Sequence, residues 1–71
     1  MVSSNITGKK YDPASVAYIA NIKQSYLYLR NNANLLDILY TNTKSGSLVF
    51  VFEKNDQLKE LYELWNRHEL V

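Results

Sequence analysis

The side chains able to do chemistry are few and poorly spaced for it. His68 is the one histidine, and a histidine base needs a carboxylate to orient it and a nucleophile within reach. Glu69 follows it directly, so on a helix the two side chains point in different directions. His68 therefore reads as a solvated residue in the last turn of a C-terminal helix, where, with Arg67, it suits the negative end of the dipole. Asp37 stands between Leu36 and Ile38. It reads as a charge at a strand end or edge that discourages further pairing, in preference to an inward carboxylate with a raised pKa. Gly8 and Gly46 are isolated, so no loop cradles a phosphate. Ser3, Ser4, Ser25, Ser45 and Ser47 stand in no nucleophile-elbow context. With no cysteine in the chain, disulfides and thiolate zinc sites are excluded, and a lone histidine builds no metal cluster. The expectation is no enzyme, no catalytic residue, no metal and no cofactor.

Aromatic side chains are the other attraction, because rings on a sheet can stack bases. Tyr18, Tyr40, Phe50 and Phe52 are the candidates. That use needs Lys or Arg beside the rings, yet residues 16–20, 35–42 and 48–52 contain neither, and Asp37 and Glu53 carry the opposite sign. Lys9, Lys10, Lys23, Arg30, Lys44 and Lys54 are scattered over tail, helix and turn. A net charge of +1 supplies no strong phosphate-binding field. The rings are expected to pack a core or an interface, and nucleic acid is not the expected partner.

The elements that must position these residues follow from pattern and punctuation. The 71 residues make one domain, expected over residues 11–71 behind a flexible tail at 1–10 that is rich in Ser, Lys and Gly. No apolar leader and no bilayer-length run is present, so a cytoplasmic protein with no membrane partner is expected. Asp12-Pro13 offers a helix opening that could run to Asn31. The preferred reading makes residues 15–20 a strand and starts the helix at Asn21, with Gln24 completing a capping box. That helix, Ile22 to Arg30, would turn Ile22, Tyr26 and Leu29 inward and end at Asn31-Asn32. Residues 35–52 read as an antiparallel hairpin. Leu36, Ile38 and Tyr40 lie on one face of its first strand; Leu35, Asp37, Leu39 and Thr41 lie on the other. Its turn is expected at Thr43 to Ser47, with Gly46 free to take positive φ. A last helix, capped by Asn55 or Asp56, carries Leu58, Leu61, Tyr62 and Trp65 on its apolar side, with Leu64 or Leu70. The expected fold is α+β, ordered β-α-β-β-α, with a small three-stranded mixed sheet and two helices.

Tyr18-Ile19-x-Asn21, Tyr28-Leu29, Asp37-Ile38, Val49-Phe50-Val51-Phe52 and Leu61-Tyr62-x-x-Trp65 span residues 17–70. On these packing motifs the chain resembles a family of short uncharacterised proteins of Firmicutes and their phages, classed as a domain of unknown function. The resemblance implies the strand at 15–20, a phage or mobile-element setting, and no catalytic residue. Asn31-Asn32 stands where a glycine would be expected after the first helix.

Ser47 to Glu53, "SLVFVFE", is apolar on both sides: Leu48, Phe50 and Phe52 point one way, Val49 and Val51 the other. A domain this small buries only about 60% of its unfolded surface. If both helices cover one face, a patch of Leu35, Leu39, Val49 and Val51 exceeds what a monomer usually exposes. A homodimer or higher homo-oligomer through those residues is therefore expected, the alternative being helices on both faces. The function expected is that of a non-enzymatic binding protein of a phage or mobile element, acting on a host protein through a protein surface and antagonising host defence. The alternatives are an oligomeric binder of a small ligand such as a signalling nucleotide, in a cleft lined by Tyr and Asn, and a weak nucleic-acid binder.

Overall fold

A computed structural model describes residues 1–42 and 47–71 of the chain. A ribbon comes first, β1 (Val2–Ser3) and β2 (Lys10–Tyr11), followed by strand β3 (Val16–Ile19) and helix α1 (Ile22–Arg30). Strands β4 (Leu35–Thr41) and β5 (Ser47–Glu53) and helix α2 (Asp56–Asn66) complete the chain. The fold is α+β, but two short strands precede the five expected elements. The turn expected at Thr43 to Ser47 lies outside the described residues except for Ser47, which opens β5.

Residues 12–15 turn because Asp12 is used locally. Its carboxylate accepts the Ala14 N–H at 3.0 Å and the Ser15 hydroxyl at 3.2 Å, and its carbonyl accepts the Ser15 N–H at 2.9 Å. Pro13 therefore leads into a turn and strand β3. The helix begins where Asn21 caps it, accepting the Gln24 N–H at 3.0 Å. The reciprocal half of the capping box is replaced, since the Gln24 amide donates to the Tyr28 hydroxyl at 2.8 Å. Asn55 caps α2 by accepting the Leu58 N–H at 2.8 Å.

The sheet order is β3-β5-β4, and both pairings are antiparallel. The expected mixed sheet is thus corrected: β3 and β4 run the same way, but β5 separates them. β5 takes the centre with both of its faces covered, and Val51 and Phe52, which point to opposite faces, are both 0% exposed. Both helices pack on one face, where Leu27, Tyr28, Phe52, Leu58, Leu61 and Leu70 form the main core. The Tyr28 and Phe52 rings meet edge to face, 5.5 Å apart at 76°. On the opposite face Tyr11, Val16, Leu36 and Val51 form a second, smaller cluster. Tyr11 reaches it from the ribbon, so residues ahead of β3 cover part of the face that was expected to be bare.

Two face assignments change. A bulge in β4 between Leu35 and Asp37 shifts the register against β5. Leu35 consequently pairs with Phe52 and packs with the helices, while Leu36 joins Val51 on the other side. An extra residue in one strand reverses parity on one side of it. The second change is in α1, whose buried residues are Gln24, Ser25, Leu27 and Tyr28. Ile22, Tyr26 and Leu29, expected inward, are all exposed. The Leu27–Tyr28 pair takes the core position because Tyr28 fits edge-on to Phe52, with its hydroxyl satisfied by Gln24.

Candidate functional site

Among the described residues Asp37 is the most heavily hydrogen-bonded acid, and it is only 5% exposed. One carboxylate oxygen accepts the Ser4 hydroxyl at 2.6 Å and the Ile38 N–H at 2.8 Å. The other accepts the Tyr11 hydroxyl at 2.7 Å. Hydrogen bonds from Ser4 and then Tyr11 outweigh burial and hold the Asp37 carboxyl below the usual range. The same bond, followed by burial, pushes the Tyr11 phenol up to about 12. Asp37 is therefore an inward carboxylate kept ionised, neither a simple edge charge nor an acid with a raised pKa. Ser4 also accepts the Ile6 and Thr7 N–H groups, each at 3.0 Å. The Thr7 hydroxyl donates to the Leu36 carbonyl at 2.6 Å. These bonds fasten the ribbon to β4, with every oxygen of the acid engaged in holding structure.

The surface of α1 is the second feature. At about 100° per residue, Ile22, Tyr26 and Leu29 form an exposed stripe on the side of α1 away from the buried Gln24, Leu27 and Tyr28, with the buried Ser25 at its edge. Ile22 is 68% exposed and Tyr26 57%. Lys23 and Arg30 flank the stripe along one side. A third feature is a groove of about 510 Å³ on the helix side of the sheet. Ala17 and Ile19 of β3, Tyr28 of α1, Leu58 and Tyr62 of α2, and the charged Lys54, Asp56 and Lys59 line it. Burial, the larger cause, raises the pKa of the Tyr28 phenol.

The residues expected to form an interface are separated by the fold. Leu35 faces the helices and Val51 is enclosed, whereas Leu39 and Val49 remain at the surface of the second face. A partner on that face would meet Leu39 and Val49, next to a hollow of about 500 Å³ bordered by Val2, Ile6, Leu39 and Tyr40. Of the four rings considered for stacking, Phe50 and Phe52 pack under the helices. Tyr18 and Tyr40 are exposed on opposite faces, as their pairing with Val51 and Leu48 requires. No continuous aromatic platform results. His68 is exposed and sits one residue beyond the α2 C-cap Arg67, with φ 59°. Comparison with protein-family models, with curated proteins and with solved structures yields no match to this chain. Among the described residues no helix is long and apolar enough to cross a membrane.

Sequence reasoning missed Ser4, Tyr11 and Thr7 as partners of β4. Their one signal is a hydroxyl-rich start to the chain, which composition alone assigns to a tail.

Proposed function

We propose that this chain is a small non-catalytic binding protein that acts through a protein–protein surface. In the phage or mobile-element setting implied by the resemblance, the partner is a host protein. The observation that supports the reading is the outward stripe of α1. A helix on a one-layer roof needs one apolar face, and polar residues normally fill the other. Here the outer face carries Ile22, Tyr26 and Leu29, an arrangement typical of a helix that docks against a second apolar surface. Lys23 and Arg30 beside it favour a partner with acidic residues at the rim of the contact.

The test compares the wild-type protein with a Tyr26→Asp/Leu29→Ser variant. Proteins captured from host lysate by the wild type would be identified, purified and titrated against both forms by calorimetry. Both positions are exposed, so thermal stability should stay close to wild type while affinity falls at least about tenfold. Equal affinity for the two forms would remove α1 as the binding surface.

A further inference from the structure

The two edges of the sheet are finished differently. On β4 the ribbon takes up edge carbonyls: Thr7 donates its hydroxyl to Leu36 and the Lys9 ammonium donates to Leu35 at 3.2 Å. On the other side β3 pairs only with β5, and its outer edge meets no backbone partner among the described residues. β3 reads Val16-Ala17-Tyr18-Ile19, without a charge or a proline to blunt pairing. The groove adjoins this same strand, because Ala17 and Ile19 help line it. Open hydrogen-bonding groups and an uncovered apolar surface thus adjoin at one place.

We propose that the β3 edge and its groove form a docking site for an extended, acidic segment of a partner protein, added to the sheet as a fourth strand. One occupant satisfies both vacancies. Its backbone would pair with β3, and side chains at alternate positions would share the face of Ala17 and Ile19 and enter the groove. Lys54 and Lys59 among the lining residues, set against the single acid Asp56, select a carboxylate on the segment. The inference rests on the protein-binding reading above, and it adds a surface distinct from α1.

The probe is a displayed library of short random peptides, selected on the whole protein and mapped by amide hydrogen exchange. Selected peptides should alternate apolar residues and carry Asp or Glu. Binding should protect amides within residues 16–19, and methylating alternate peptide nitrogens should abolish it. Lys59→Glu, an exposed position, should weaken the acidic peptides about three- to tenfold. Peptides that protect α1 instead, or no peptides at all while Tyr26→Asp/Leu29→Ser still loses its captured protein, would overturn this site and leave the protein-binding reading intact. Concentration-dependent protection of residues 16–19 without peptide would assign the edge to a second copy, which also overturns the proposal.

Discussion

Asp37 keeps its charge inside the protein because donors from the ribbon reach it. A carboxylate with a lowered pKa stabilises the fold above its unfolded value of about 3.9, and that contribution is lost as pH falls through the folded pKa. Tyr11 acts in the opposite range. Its pKa is raised to about 12, so the unfolded chain ionises first, near pH 10, and stability declines as pH climbs from there toward 12. Asp37→Asn should therefore lower stability at neutral pH by about 1–3 kcal/mol, as expected on losing hydrogen bonds to a buried charge. It should also flatten both limbs of the stability–pH profile. Urea unfolding from pH 2 to 11 measures this, and unchanged limbs would mean that Ser4 and Tyr11 do not hold the acid in solution. The strand position of Asp37 was legible from its neighbours. Its partners were not, because they lie 33 and 26 residues away in a segment without apolar periodicity.

The helices show which element-scale signals survive folding. Caps were legible in part: Asn21 accepts the N–H group expected of it, and of Asn55 and Asp56, both open on the sequence, Asn55 is the cap, since capping involves only three or four consecutive residues. Faces were less legible, because α1 has two usable stripes and only contact with Phe52 chooses between them. The bulge at Leu36 was illegible for a similar reason, as no local pattern marks it. Both helices end alike. In α1 the Ala33 N–H bonds to the Tyr28 carbonyl at 3.0 Å and the Asn32 N–H to that of Leu29 at 3.1 Å. In α2 the Glu69 N–H bonds to Leu64 at 2.9 Å and the His68 N–H to Trp65 at 3.1 Å. This paired closure needs a left-handed residue, supplied by Asn32 at φ 67° and His68 at φ 59°. Asn tolerates that conformation, but His carries its full steric cost. His68→Gly should raise stability by about 0.5–1 kcal/mol after allowing for glycine's larger unfolded entropy. A thermal melt decides it: a lower melting temperature would show that the imidazole makes a contact worth more than the strain.

For the whole molecule, the issue is how a strand with two apolar faces stays covered in so short a chain. Helices cover one face, and the ribbon with Tyr11 covers the part of the other around Val51. Leu39 and the half-buried Val49 stay at the surface of that face beyond the cluster, beside a hollow that the exposed Val2 and Ile6 also line. The two apolar faces of the strand are legible from its residues, whereas the internal cover was invisible because residues 1–10 look like solvent-exposed tail. Val51 and Leu39 now separate folding from association. Val51→Lys buries an ammonium among Tyr11, Val16 and Leu36, at a cost of several kcal/mol, which is a large part of a total stability of about 5–15 kcal/mol. That variant should unfold at every protein concentration. Leu39→Lys places its charge in water and should change stability by no more than about 0.5 kcal/mol. If the second face nevertheless joins two copies, Leu39→Lys should shift sedimentation toward the monomer and make melting independent of concentration. Folded, monomeric Val51→Lys beside a dimeric wild type would show instead that Val51 meets a partner chain, and that the ribbon moves aside to admit it.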